Sequence, residues 1–152
     1  MPGQAHKIIF LAEDNAADVG LVEEALKRRG VSYTLTVYRD AQAAILAVEK
    51  CGTDSRPIPD LVLLDLNLPW GTGCDVLKAA ASNPLLADVP KAILSSFIGS
   101  PGEMERARSL GASALIMKPA NFDEFISEVG TQVAYLLQKD QGAAASGGGD
   151  PS

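Results

Sequence analysis

The chain has 152 residues, enough for one domain with a real core and too few for two. At 47% hydrophobic and 21% charged residues, the composition is that of an ordinary folded domain and excludes a disordered or fibrous chain. Thirteen Lys and Arg against nineteen Asp and Glu leave a net charge of -6, which argues against duplex DNA or RNA as the main partner, because such binding needs a basic face against the phosphates.

Lys7 to Ala12 is a short apolar run rich in β-branched residues and reads as a buried strand. Asp14-Asn15 then offers a helix cap, and Leu21, Val22, Ala25 and Leu26 recur at helical spacing until Gly30 stops them. Tyr33 to Tyr38 reads as a second strand. Asp40 caps a second helix with Ala41, Ala44, Ile45 and Val48 on its apolar face, ending at Cys51-Gly52. Leu61-Val62-Leu63-Leu64 is apolar at every position, the sign of a central parallel strand covered on both faces. A third helix is predicted from Cys74 to Ser82 and is broken by Asn83-Pro84. Lys91 to Ser95 is the fourth strand. Ser100-Pro101-Gly102-Glu103 opens the fourth helix with a hydroxyl cap, a first-turn proline and a Glu three residues after the Ser; Gly111 closes it. Ala114 to Met117 is a short fifth strand. Asn121 caps the last helix, where Phe122, Phe125, Ile126, Val129, Val133, Leu136 and Leu137 share an arc of about a third of the circle.

Five strand-helix units joined by short loops imply an α/β fold, a parallel sheet with helices on both faces. From Gln141 to Ser152 the chain is rich in Gly, Ala and Ser and reads as a flexible tail after a domain spanning residues 1–140. The basic clusters Lys27-Arg28-Arg29 and Arg106 with Arg108 read as helix surface. Cys51 and Cys74 have neither metal nor redox spacing and read as two reduced thiols. No apolar run reaches the length of a signal peptide core or a membrane span, so a cytoplasmic domain acting without a membrane is expected.

In such a sheet, ligands bind beyond the carboxyl ends of the strands. Glu13 and Asp14 follow strand one, Asp65 strand three, Ser95-Ser96 strand four and Lys118 strand five. Two unit charges about 5 Å apart repel by roughly 3 kcal/mol at an effective dielectric near 20, and a single Lys cannot offset three carboxylates. A hard divalent cation can, and carboxylate and carbonyl oxygens suit Mg²⁺. Each residue alone has a plainer reading: Asp14 as a helix cap, Glu13 as a solvated side chain. Asp65 resists one, because nothing local asks for a charge at the end of an all-apolar strand.

Glu13-Asp14 after strand one resembles the acidic pair of response-regulator receiver domains. Asp65-Leu66-Asn67-Leu68-Pro69 with Gly73 resembles that family's loop around its phosphorylated aspartate, while Ser95 and Lys118-Pro119 follow strands four and five as the family has them. The resemblance runs from about Lys7 to Lys139. Glu13-Asp14-Asn15-Ala16-Ala17-Asp18 with Leu64 to Pro69 further resembles the stand-alone regulators paired with bacterial phytochromes.

The resemblance implies a flavodoxin-like (βα)5 doubly wound five-stranded sheet of order 2-1-3-4-5. It implies a two-component phosphorelay in which Asp65 takes a phosphoryl group from a phosphohistidine on a sensor histidine kinase. Asp14, Asp65 and the Asn67 carbonyl would hold Mg²⁺, with Glu13 acting through a water. Lys118 would pair with the phosphoryl oxygens, Ser95 would donate its hydroxyl to the group, and small Ser96 would leave it room. Such transfer is mostly positioning and charge neutralisation. The chain would catalyse only its own phosphorylation and dephosphorylation, and would signal to a downstream protein through a changed surface. Helix four, strand five and helix five would serve as a homodimer face, and a cis Lys118-Pro119 bond is suggested.

Two departures from the family stand out: Glu13 where Asp is commoner, and Leu115 at the switch aromatic. Phe97 reads either as a substitute switch or as a core or interface residue; Tyr135 as an ordinary exposed Tyr or a contact; Trp70 as loop packing or part of the site. Other function classes are a receiver-like binding module that is never phosphorylated, a flavin carrier and an aspartate-nucleophile phosphatase. The acidic loop after strand one opposes flavin phosphate. Asn67, where the phosphatase pattern has its second acid, opposes the last.

Overall fold

The computed structural model describes residues 5–53, 56–96 and 100–147. Five strands form one parallel sheet: β1 (Lys7–Ala12), β2 (Tyr33–Tyr38), β3 (Leu61–Leu64), β6 (Lys91–Ser95) and β7 (Ala114–Met117), in the order β2-β1-β3-β6-β7. Counted among themselves, these five stand in the expected order 2-1-3-4-5. Two short strands outside the sheet, β4 (Asn67–Leu68) and β5 (Gly71–Thr72), pair with each other as an antiparallel hairpin. The helices are α1 (Ala16–Arg28), α2 (Ala41–Lys50), α3 (Gly73–Ala81), α4 (Pro101–Ser109) and α5 (Phe122–Gly147), with a 3-10 turn at Pro84–Leu86.

Strand alternation divides the core into two layers. Phe10, Ala12, Val62, Leu64 and Ile93 pack with α2, α3 and Ala107 of α4. Ile9, Leu11, Leu61, Leu63, Ala92, Leu94 and Ile116 pack with α1 and α5. All four residues of β3 are fully buried, as its unbroken apolarity predicts.

Local capping explains where the helices start. The Asn15 side chain accepts from the N–H groups of Ala17 and Asp18, so Asn15, not Asp14, caps α1. α3 begins one residue before the predicted position, because Thr72 and Asp75 form a capping box ahead of it. Ser100 and Glu103 do the same for α4. Asn121 accepts from the Glu124 N–H at the start of α5.

Three further sequence expectations differ from the structure. The last helix extends to Gly147, past the Gln141 boundary expected for the tail; alanines 143 to 145 are strong helix formers. Phe122, assigned to the apolar arc, is 49% exposed, and the Arg28 guanidinium lies 5.7 Å from its ring centre. As the first residue of α5 it projects beyond the layer that the later turns cover. No cis peptide occurs among the described residues, so Lys118-Pro119 is trans. Phe97 lies outside the described residues.

Candidate functional site

Sheet register brings the expected residues together. Ala12 pairs with Leu64, so Glu13 and Asp65 leave β1 and β3 side by side, and the Asp65 N–H donates to the Ala12 carbonyl at 3.0 Å. Ser95 pairs with Met117 across β6 and β7, and the Lys118 N–H donates to the Ser95 carbonyl at 2.9 Å. From β1 the chain adds β2 on one side, and from β3 it adds β6 and β7 on the other, so the strand order reverses between β1 and β3 and this rim is the topological switch point of the sheet.

Asp65 is 7% exposed, yet both of its carboxylate oxygens are partnered. Oδ1 accepts from the Asn67 N–H and the Ser95 hydroxyl, each at 3.0 Å. Oδ2 accepts from Lys118 Nζ at 3.1 Å. Gly73 holds the floor of this loop. A Cβ there would come within 2.5 Å of the Asp65 carbonyl oxygen and 3.2 Å of Ile93 Cδ1, so only glycine lets α3 start this close.

Lys118 is buried among carboxylates. Its ammonium donates to Glu13 Oε1 at 2.6 Å and to Asp18 Oδ2 at 2.8 Å as well as to Asp65. Burial alone would lower its pKa, but Asp18, Glu13 and Asp65 together raise it above the usual lysine value. Burial pushes the Glu13 carboxyl up to about 7, and the charge of Asp65 adds to this; Lys118 and the Asn15 N–H pull the other way.

Carboxylate oxygens of Glu13, Asp14 and Asp65 lie within 4.8 Å of one another. Three hard oxygen donors at that spacing, one of them on exposed Asp14, fit a divalent cation of the Mg²⁺ type. Asn67 begins β4 beside them, its N–H on Asp65. Ser96 is exposed one residue beyond buried Ser95.

Asp18 is the site residue that sequence reasoning missed. It appears in the motif after strand one, but its contact with Lys118, 100 residues away, depends on how α1 leaves the rim. The available signal was its place in the first turn after the Asn15 cap, which turns that side chain toward the strand ends. Trp70, which the sequence left between loop packing and site, is 78% exposed at the tip of the β4-β5 hairpin.

Comparisons with known proteins converge on one family. A family model described as the response regulator receiver domain matches residues 9–130. Response regulator Rcp1 of Synechocystis sp. is 40% identical over 91 residues, covering 59% of this chain and 62% of that protein, so the match spans less than two thirds of that relative. The crystal structure of the phosphorylated cyanobacterial phytochrome response regulator RcpA superposes with a TM-score of 0.78 at 36% identity, covering 89% of this chain and 96% of that one. The Mn²⁺-bound form of Rcp1 gives 0.77 at 31% identity, covering 87% and 95%.

Proposed function

This chain belongs to the response regulator receiver domain family of two-component systems and is related to phytochrome regulators; from that we propose that it accepts a phosphoryl group on Asp65 from a phosphohistidine on a sensor histidine kinase. The observation that carries the reading is the Asp65 carboxylate, buried at the switch point with Ser95 and the Asn67 N–H on one oxygen and Lys118 on the other. An Asp65 oxygen forms the bond to phosphorus as the bond to the donor breaks, and the donor leaves with the electron pair.

Glu13, Asp14 and Asp65, with the Asn67 carbonyl, are the residues that would hold Mg²⁺. When bound, it supplies positive charge against the phosphoryl oxygens. Lys118 meets one of those oxygens, Ser95 turns its hydroxyl from Asp65 to another, and exposed Ser96 leaves the group room. Chemistry is confined to the chain's own phosphorylation and dephosphorylation within a receiver unit of residues 1–140. The similarity to RcpA and Rcp1 supports a phytochrome-type kinase as donor.

Output passes to a downstream protein through the face made by α4, β7 and α5, where Met117 is 58% and Tyr135 60% exposed. The same face serves as a homodimer surface, checked by sedimentation of the phosphorylated and unphosphorylated forms. Among the described residues no helix is long and apolar enough to cross a membrane, and the activity is assigned to the cytoplasm.

Incubation with acetyl phosphate and Mg²⁺, followed by intact mass, tests the central step. Wild type should gain one phosphoryl mass and Asp65→Asn none. Absence of label on wild type, under conditions that label a control receiver, would leave the non-phosphorylated binding module ahead.

A further inference from the structure

The Lys118 ammonium has three donors, and each meets a carboxylate: Glu13 at 2.6 Å, Asp18 at 2.8 Å and Asp65 at 3.1 Å. A phosphoryl oxygen arriving at Asp65 can be met only if one of these partners lets go. They differ in their access to water. The side chain of Glu13 is 1% exposed, that of Asp65 10% and that of Asp18 24%. A carboxylate abandoned in the interior is left desolvated and unpaired, whereas one at the rim is rehydrated. Asp18 is the least costly of the three to release.

The contact is fixed from both sides. The Asp18 N–H is held by the Asn15 side chain at 3.2 Å, and the Asn15 N–H donates to Glu13 Oε2 at 3.1 Å. Lys118 closes the ring by donating to Glu13 Oε1 and Asp18 Oδ2. The first turn of α1 is thereby tied to the lysine through a carboxylate that neither the acidic pair nor Asp65 provides.

We infer that Asp18 is an exchangeable counter-ion for Lys118, holding the ammonium while Asp65 is unmodified and ceding it when a phosphoryl group arrives. The inference rests on the phosphoacceptor reading above. As the bond to phosphorus forms on Asp65 and acetate or histidine leaves, Lys118 shifts one N–H from Asp18 Oδ2 to a phosphoryl oxygen, and no proton changes owner. By competing for the lysine, Asp18 slows phosphoryl uptake. Its release also sets a free negative charge on the first turn of α1, a change next to the site that a partner can read.

The test is a time course of acetyl phosphate labelling by intact mass at saturating Mg²⁺, on wild type, Asp18→Asn, Asp18→Glu, Lys118→Ala and the double variant Asp18→Asn with Lys118→Ala. Asp18→Asn should label about three- to tenfold faster than wild type, the scale of one partly exposed ion pair. Asp18→Glu should return toward the wild-type rate, and Asp18→Asn should have no accelerating effect once Lys118 is Ala. Structural damage does not speed a reaction, so acceleration separates the counter-ion from a packing role. An Asp18→Asn protein that labels at the wild-type rate or slower overturns the inference, as does acceleration that persists without Lys118. Wild type that takes no label sinks the phosphoacceptor reading itself, whereas normal wild-type labelling with no Asp18 effect sinks the counter-ion alone.

Discussion

Glu13 makes the site answer to pH. Its folded-state carboxyl stands at about 7 against an ordinary 4.5, because burial outweighs the help it receives from Lys118. A carboxyl raised on folding favours the folded state while both states are protonated. That advantage is whole below about 4.5, is lost as pH rises, and is gone once pH passes about 7. At about 1.4 kcal/mol per pH unit the ceiling is about 3.5 kcal/mol. Melting temperature in EDTA should therefore fall between pH 4.5 and 7, and Glu13→Gln should flatten that slope; a variant that keeps the wild-type slope removes Glu13 as its source. Lys118 stays charged throughout the window and contributes nothing to the slope. Lys91 shows the opposite case. It is also buried, but its ammonium donates to the carbonyls of Leu86 and Val89, and burial lowers its pKa against the opposing pull of Asp88. Both lysines flank apolar strand runs in the sequence. What sets them apart, carboxylates against carbonyls, arises only when the strand ends are assembled, and the role of Asp18 was hidden for the same reason.

Among the elements, the strands and the central place of β3 were readable from apolar runs, and the caps at Asp40, Ser100 and Asn121 from residue type. The β4-β5 hairpin was not, since two-residue strands carry no period and its turn breaks the usual residue rules. Pro69-Trp70 links Leu68 to Gly71, and Trp70 has φ 65, the left-handed region that favours glycine. Pairing on both sides holds it there: the Ala41 N–H donates to the Pro69 carbonyl at 2.9 Å and Gln42 Nε2 to the Trp70 carbonyl at 3.4 Å. A bulky residue in this conformation costs about 1 to 2 kcal/mol, and a ring 78% exposed regains little of it by packing. Trp70→Gly should therefore stabilise the fold, raising the melting temperature by roughly 2 to 4 °C per kcal/mol at this chain length. A lower melting temperature would mean that the indole packs more than its exposure indicates. The strain sits on the hairpin between Asp65, at the end of β3, and the start of α3.

Across the whole molecule, part of the net charge of -6 is concentrated. Glu13, Asp14, Asp18 and Asp65 arrive from two loops and the first turn of a helix at one rim of the sheet, and among the described residues Lys118 is the cation paired with them. Three of the four share that lysine. Asp14 does not; it is exposed, with a carboxylate oxygen within 4.8 Å of those of Glu13 and Asp65. Folding gathers these charges and so works against their repulsion, while a cation bound only by the folded state stabilises it by mass action, about 2.7 kcal/mol at a hundred times its Kd. The two effects oppose each other at one residue. Asp14→Ala should raise the melting temperature in EDTA by a few degrees, since about 1 kcal/mol is worth roughly 2 to 4 °C here, yet it should lose most of the gain that wild type draws from Mg²⁺. Thermal melts of the two proteins in EDTA and in millimolar Mg²⁺ separate the possibilities. A variant that Mg²⁺ stabilises as much as wild type would place the cation elsewhere, and one less stable than wild type in EDTA would show that Asp14 supports the fold rather than straining it. Because the rim gathers the carboxyl ends of β1 and β3, a cation held there would act as a clasp on the centre of the sheet, and its effect should appear in global unfolding rather than in one loop.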